Sequence, residues 1–169
     1  SIPKKWTQLY EHITARVDIE VDDDEKIKEA VSNATGGELK WGLSAAGYLP
    51  PDIFRFFQRY GVELMSGFGM TEATGGITMT PPFQYRENSL GKALPGIEIK
   101  LGEDGEILIR GPYVMLNYYD QNIEDTFDKD GWLATGDVMR MDKEGFIEII
   151  DRKKEIYKNV RGETIAPQK

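Results

Sequence analysis

Residues 39–66 read LKWGLSAAGYLPPDIFRFFQRYGVELMS and predict a strand, a helix and a second strand in direct succession. The first strand is predicted over 39–44 and the second over 62–66. The helix begins with the proline pair at 50–51, because proline is tolerated in the first helical turn, where an N–H has no helical partner. A strand, a helix and a strand at this spacing are typical of a βαβ unit with parallel strands. We therefore predict an α/β part over residues 1–88.

Hairpin signals replace the βαβ pattern in the second half of the chain. Apolar residues alternate with period two around glycine-containing polar turns over 97–110 and again over 136–150. Such spacing predicts β-hairpins, so residues 89–151 are assigned to an antiparallel β part. A third hairpin is predicted over 156–165. The predicted fold class is therefore α/β followed by antiparallel β.

The composition excludes several classes of protein. The chain has 169 residues and a net charge of −8, which argues against a nucleic-acid binder, because affinity for phosphate backbones requires a basic surface. It has no cysteine and one histidine, which excludes disulfide frameworks and the usual thiolate or multi-histidine zinc sites. No apolar run approaches the ~20 residues of a membrane-spanning helix, and no signal peptide opens the chain. We expect a cytoplasmic protein.

An acidic run over 18–25 precedes a second predicted helix, 23–33. Its last carboxylates would lie at the positive end of that helix, so we interpret the run as capping residues on a solvated face. A calcium site is the alternative, although the run lacks the spacing and the turn glycine of an EF-hand loop.

The stretch directly after the second strand carries the chemistry. Residues 66–76 read SGFGMTEATGG, in which glycines flank an aromatic ring and precede a hydroxyl and a carboxylate. Glycines let a backbone approach a ligand closely, and the carboxyl ends of strands are where α/β folds bind ligands. A nucleotide site is one interpretation. An ordinary turn in which Thr71 caps a helix is the other.

Residues 67–72 resemble the Y-G-x-T-E loop of the adenylate-forming enzymes, which include acyl-CoA synthetases, peptide-synthetase adenylation domains and luciferases. Five further segments resemble motifs of that family in the expected order. They are 44–49 (S-G-G-A-P-L in the family), 89–96 (S-x-G-x-x-x-P-G), 105–112 (G-E-I/L…R/K-G-P), 131–137 (G-W/Y-x-x-T-G-D) and 151–167 (G/D-R-x-K/D…G-E-x-I-x-P). The R-K-K-E and G-E-x-I-A-P forms are typical of the fatty acyl-CoA synthetase branch.

The resemblance implies a fold and a reaction. Residues 1–151 would belong to the large domain, with a parallel βαβ part leading into a distorted β-barrel subdomain, and 152–169 would hold the hinge and first hairpin of the small domain. The reaction would be ATP-dependent ligation of a fatty acid to CoA through acyl-AMP. Its cofactors and partners would be ATP or AMP, Mg²⁺, CoA and the fatty acid, with peripheral membrane contact of the whole protein as an added expectation.

The resemblance also implies roles for residues of the turn. Thr71 would bond a phosphate and Glu72 would bind Mg²⁺, and these two are the predicted catalytic residues. Phe68, in place of the family's tyrosine, would lie against adenine. Close backbone approach to the nucleotide or acyl group is implied for the remaining predicted binding residues of this region, which are Ala46, Gly47, Gly67, Gly69 and Met70.

Four later residues receive roles in the same way. Asp137 would accept hydrogen bonds from the ribose hydroxyls, and Arg152 would contact the ribose and phosphate. Lys154 would be the hinge between the domains, and Gly162 would face the CoA channel. From the residues alone, the favoured interpretation of Asp137 is an ordinary turn acid and that of Arg152 is a solvated face.

Two motifs of the family have no match in these residues: the S/T-G-T/S-T-G-x-P-K-G phosphate loop and the catalytic lysine of the small domain. Because neither end resembles a natural terminus, we expect an excerpt of a larger enzyme that is inactive by itself. The alternatives are an adenylation domain for amino acids or other carboxylates, and a non-enzymatic α/β binding module.

Overall fold

The computed structural model describes residues 2–152, 157–158 and 164–165, with side chains through residue 150. Four α-helices, one 3-10 helix and ten strands are assigned within these residues. The helices are α1 (Pro3–Thr14), α2 (Asp24–Ala34), α3 (Pro51–Arg59), the 3-10 helix (Thr71–Ala73) and α4 (Ile123–Thr126). The strands are β1 (Trp41–Ala45), β2 (Glu63–Phe68), β3 (Thr78–Met79), β4 (Lys92–Ala93), β5 (Glu98–Leu101), β6 (Glu106–Arg110), β7 (Leu133–Met141), β8 (Ile147–Arg152), β9 (Tyr157–Lys158) and β10 (Thr164–Ile165).

The first sheet contains the predicted βαβ unit. Its strand order is β1-β2-β3-β4, and β1 and β2 are parallel, with Trp41 opposite Glu63 and Ala45 opposite Gly67. The short strands β3 and β4 add antiparallel. The parallel pair joined by α3 confirms the βαβ prediction.

An aromatic-rich core lies between the first sheet and helices α1, α2 and α3. Trp6 meets Phe57 edge-on, with 5.1 Å between ring centroids, and its indole N–H donates to the carbonyl oxygen of Leu43 at 3.2 Å. A Cβ at Gly42 would overlap the Trp6 ring, so glycine at that strand position is what admits the indole. The buried cluster is Trp6, Ile13, Val17, Ile27, Val31, Leu49, Ile53, Phe54, Phe56, Phe57, Tyr60, Val62 and Leu64.

The acidic run caps α2. Asp23 is the N-cap residue and accepts from the Lys26 N–H at 2.8 Å, and Asp22 pairs with the Lys26 ammonium at 2.6 Å. That hydrogen bond holds the pKa of Asp22 below its usual value. The capping interpretation is confirmed.

The second sheet is a curled, four-stranded antiparallel sheet of order β5-β6-β7-β8. It contains the first two predicted hairpins, although β7 begins at Leu133, three residues before the predicted start. A mainly aliphatic core packs against it: Ala73, Ile77, Ile97, Ile107, Ile109, Leu133, Met139 and Ile147. The third hairpin also forms, because β9 pairs antiparallel with β10.

A short segment joins the two sheets. The Leu90 N–H donates to the carbonyl oxygen of Ile147 at 2.7 Å, and the Ile147 N–H donates to that of Gly91 at 2.9 Å. Strand β4 follows residue 88 but pairs within the first sheet, so the chain crosses between sheets after β4. Within the residues described above, no helix is long and apolar enough to span a membrane.

Candidate functional site

The carboxyl ends of β1 and β2 lie side by side, because Ala45 is opposite Gly67 in the parallel register. The residue after β1, Ala46, has φ +65°, in the left-handed region that glycine enters at least cost. This backbone shape accounts for a glycine at the corresponding place of the family motif. Segments 44–49 and 67–72 are therefore neighbours at one edge of the sheet, which is a consequence of the parallel strands of the predicted βαβ unit.

The turn after β2 is built from backbone. The Gly75 N–H donates to the Met70 carbonyl oxygen, and the Ile77 N–H to that of Phe68, each at 2.9 Å. A Cβ at Gly69 would overlap the carbonyl oxygen of Gly75. Glycine at position 69 is therefore what allows the turn to fold back on itself.

Some side chains of this turn pack against the second core, and others are exposed to solvent. Phe68 and Met70 pack against the second core while remaining partly exposed. Thr71 is exposed and is the first residue of the 3-10 helix, whose N-cap residue, Met70, makes no side-chain cap bond. The helix-cap interpretation of Thr71 is wrong, since the short helix begins at Thr71 itself.

Two contacts from a distant segment fix Glu72. The Tyr118 hydroxyl donates to Glu72 Oε1 at 2.7 Å, and the Met115 N–H donates to the Glu72 carbonyl oxygen, also at 2.7 Å. The bond to Glu72 raises the pKa of the Tyr118 phenol. Tyr118 has no signal in the sequence, because no local pattern connects residues 46 positions apart.

The Glu72 carboxylate suits a magnesium ion that arrives with a nucleotide. Mg²⁺ is usually held by one or two carboxylates together with substrate phosphates and water. The described part of the chain contains no group of three or more His, Cys, Asp or Glu side chains that could cage a metal. The single, partly exposed carboxylate of Glu72 is compatible with this mode of binding.

Asp137 lies inside β7 at an irregular stretch. In the pairing of β7 with β6, Ala134 is opposite Leu108 and Val138 is opposite Glu106. The three residues 135–137 of β7 therefore lie opposite one residue of β6, Ile107. Bulges of this kind re-aim side chains next to functional sites. Asp137 is 5% exposed, and its N–H donates to Thr135 Oγ1 at 3.2 Å. The turn-acid interpretation is wrong, because the residue is a buried strand residue.

A second carboxylate supports the bulge. Glu106 is 8% exposed, and its Oε1 accepts from the Gly136 N–H at 2.8 Å. The Thr135 hydroxyl donates to the Ile107 carbonyl oxygen at 2.9 Å. Glu106 thus holds the residue that precedes Asp137. Its motif was recognised in the sequence, but this role was missed because the bulge that creates it is a pairing feature.

Arg152 is the cross-strand partner of Asp137 in the register of β7 and β8, which brings these two predicted residues to adjacent backbone positions. Lys154 and Gly162 lie outside the described residues. A surface cavity of about 690 Å³ opens between residues 110–116 and 123–131. Because none of the predicted site residues lines it, the site assignment depends on the turn and the bulge rather than on this cavity.

The chain matches a family model described as AMP-binding enzyme over residues 3–119. It is 40% identical over 133 residues to a Mycobacterium tuberculosis protein named provisionally as the fatty-acid–CoA ligase fadD11, covering 78% of this chain and 23% of that one. It is 33% identical over 160 residues to long-chain-fatty-acid–CoA ligase 6 of Rattus norvegicus, covering 86% and 23%. The chain therefore spans about a quarter of the length of these curated relatives.

Solved structures of a CoA synthetase are similar in fold to this chain. The chain superposes on o-succinylbenzoate CoA synthetase (MenE) of Bacillus subtilis in complex with the acyl-adenylate intermediate OSB-AMP, with a TM-score of 0.75, 27% identity and coverage of 99% of this chain and 33% of that one. The same enzyme with ATP and magnesium ion gives a TM-score of 0.67, 26% identity and coverage of 85% and 35%. The predicted fold class is confirmed by these matches.

Proposed function

Because this chain belongs to the AMP-binding enzyme family, we propose that it is the nucleotide-binding part of an ATP-dependent fatty acid–CoA ligase. The observation that carries the proposal is the register of β1 and β2, which brings segments 44–49 and 67–72 to one sheet edge. The relatives named as fatty-acid–CoA ligases support the substrate class. We keep the cytoplasmic location as part of the proposal.

The proposed reaction has two steps. A fatty-acid carboxylate oxygen attacks the α-phosphorus of ATP, and the bond to the leaving pyrophosphate breaks, which gives acyl-AMP. The CoA thiol then attacks the acyl carbon, the bond to the AMP oxygen breaks, and the thiol proton is released as AMP leaves. Transfer at phosphorus is catalysed mainly by positioning and charge neutralisation.

Each proposed site residue would bind a different part of the nucleotide or the metal ion. The exposed Thr71 hydroxyl would donate to a phosphate oxygen, and Glu72 would hold Mg²⁺, which when bound supplies positive charge at the phosphates. Asp137 would accept hydrogen bonds from the ribose hydroxyls, which carboxylates do strongly. Phe68 would pack against adenine, and Arg152 would contact the ribose and phosphate. Gly162 and Lys154 keep their proposed roles at the CoA channel and the hinge.

A second candidate is an enzyme that activates another carboxylate. The likeness to a CoA synthetase for o-succinylbenzoate favours it. Comparing long-chain fatty acids, aryl acids and amino acids in an AMP-release assay with the whole protein would separate the two. Release only with aryl acids or amino acids would contradict the fatty-acid proposal.

We also propose that these 169 residues alone form no acyl-CoA, since the sequence holds no match to the phosphate loop or the catalytic lysine. Oriented charges of that kind are worth several kcal/mol to a transition state. ATP-dependent CoA ligation by a pure sample of this chain would contradict this.

Calorimetric titration with a non-hydrolysable acyl-adenosine sulfamate tests nucleotide binding. Asp137→Ala should weaken binding at least ~10-fold, about 1.4 kcal/mol, and Asp137→Asn should also weaken it while keeping the side-chain shape. Asp130→Ala, at an exposed site before β7, is the matched control. Equal binding by the parent chain and the Asp137 variants would contradict the ribose role. If a folded chain ignores the analogue, either the missing phosphate loop is indispensable for affinity or the family match reflects structural ancestry only, as a non-enzymatic binding module would. Repeating the titration on the full-length parent decides between these.

A further inference from the structure

Tyr118 and Glu72 form a side-chain pair that no motif anticipates. The Tyr118 hydroxyl donates to Glu72 Oε1 at 2.7 Å, while Glu72 Oε2 is outside that bond. The Met115 N–H holds the Glu72 backbone through its carbonyl oxygen at 2.7 Å. One segment thus fixes both the main chain and the side chain of Glu72.

The segment that carries Tyr118 is itself braced. The Asn117 side-chain amide donates to the Gln121 carbonyl oxygen at 2.6 Å, and its oxygen accepts from the Thr126 hydroxyl at 2.7 Å. Val114 and Met115 pack against the second core. The Tyr118 phenol therefore extends from a loop tied down at both ends.

The neighbouring tyrosine shows that the bond is specific to Tyr118. Tyr119 is 99% exposed, whereas Tyr118 is 42% exposed and bonded to Glu72. Of the two adjacent tyrosines, Tyr118 is thus the one that is less exposed and bonded to Glu72. This makes Tyr119 a matched internal control for any change at Tyr118.

We propose that Tyr118 is a positioning residue that holds Glu72 Oε1, so that Oε2 is presented to the divalent cation bound with ATP. The proposal rests on the proposed function, in which Glu72 is the metal ligand. A carboxylate already held in one rotamer loses less side-chain entropy on binding a cation. Partners of this kind typically contribute 10–100-fold to metal affinity.

The experiment uses the Mn²⁺–ATP complex as the probe and follows the enhancement of water-proton relaxation that occurs only when the complex is bound to protein, while the whole 169-residue chain is titrated into it. Tyr118→Phe, which keeps the ring, should weaken Mn²⁺ binding about 10-fold. Tyr119→Phe should leave it within 2-fold. Glu72→Ala should reduce it at least as much as Tyr118→Phe.

A second readout separates positioning from a general structural role. ATP affinity measured in EDTA should be the same for the parent chain and Tyr118→Phe, because only the metal-dependent term involves the carboxylate rotamer. A variant that loses metal-free ATP binding in parallel would show that Tyr118 merely supports the turn, and would overturn the proposal.

The remaining outcomes distinguish this proposal from the proposed function. If Glu72→Ala weakens Mn²⁺ binding and Tyr118→Phe does not, Tyr118 has no positioning role, while the assignment of Glu72 as the metal ligand is supported. If Glu72→Ala binds Mn²⁺ as the parent chain does, or if the parent chain binds none in the presence of ATP, the assignment of Glu72 is wrong and the role of Tyr118 falls with it.

Discussion

The turn after β2 and the bulged stretch of β7 both carry residues that we assign to the nucleotide, and they are held by different means. In the turn, backbone hydrogen bonds join Met70 to Gly75 and Phe68 to Ile77. In β7, the Glu106 carboxylate accepts from the Gly136 N–H. The Thr135 hydroxyl accepts from the Asp137 N–H and donates to the Ile107 carbonyl oxygen.

The two regions also differ in how exposed their assigned residues are. Thr71 is exposed in the turn, whereas Asp137 is almost fully buried in β7. A turn held by backbone tolerates changes of its exposed side chains but not of the glycines that permit its close contacts. A bulge held by side chains depends on those side chains, because a buried N–H that loses its acceptor is costly.

The largest effect is expected at Gly69. Gly69→Ala places a Cβ against the Gly75 carbonyl oxygen, and a clash with backbone cannot be relieved by a rotamer change. We expect the free energy of unfolding in urea to fall by about 3 kcal/mol and adenylate-analogue binding to be lost.

The control is Gly145→Ala, at a hairpin turn with φ +83° and no heavy atom within 4 Å of an added Cβ. It should cost only the left-handed backbone penalty of about 1–2 kcal/mol. Equal losses at the two positions would break the view that close packing, rather than backbone conformation, makes Gly69 necessary.

The next effect is expected at Glu106. Glu106→Ala leaves the Gly136 N–H without the carboxylate that accepts from it, and should lower the free energy of unfolding by about 2 kcal/mol. Glu106→Gln retains an acceptor oxygen and should recover part of the loss. The exposed Glu103→Ala should change stability by under about 0.5 kcal/mol. A Glu106→Ala chain as stable as the parent would mean that the bulge needs no side-chain support.

The smallest effects on stability are expected when threonine is replaced by valine, once in β7 and once in the turn after β2. Thr135→Val removes the hydroxyl that bonds Ile107 and Asp137 and should cost about 1 kcal/mol in chemical denaturation. Thr71→Val, at an exposed position, should cost under about 0.5 kcal/mol yet weaken ATP binding. A larger loss of stability for Thr71→Val than for Thr135→Val would contradict the view that side chains hold the bulge and backbone holds the turn.

The sequence predicted elements whose periodicity is local. The βαβ unit and the hairpins are visible because each strand carries its own alternation and each turn its own glycine, as at Gly61 and Gly145. The two-residue strands β3 and β4 and the one-turn helix α4 are too short to show a period, so the sequence does not predict them.

The predicted parallel strands bring the motif segments after β1 and β2 together, but the sequence does not show which contacts hold them. Ala45 lies opposite Gly67, because parallel strands place their carboxyl ends at one edge. The bonds of Tyr118 to Glu72 and of Glu106 to Gly136 join residues far apart in the chain, and such pairs follow from tertiary packing. The roles of Thr71, Glu72 and Asp137 stay predictions until ligand binding is measured.

The hydrogen bonds between Leu90, Gly91 and Ile147 have a consequence for how the chain folds. The parallel pair β1–β2 and the hairpin β7–β8 each close short loops, whereas this joint closes one of more than fifty residues, and loop closure over a long separation is entropically slower. Each half should therefore gain its native contacts before the joint forms. Ser89→Ala, which removes the hydroxyl that donates to the Ile147 carbonyl oxygen at 3.0 Å across this joint, should then speed unfolding while leaving the refolding rate nearly unchanged.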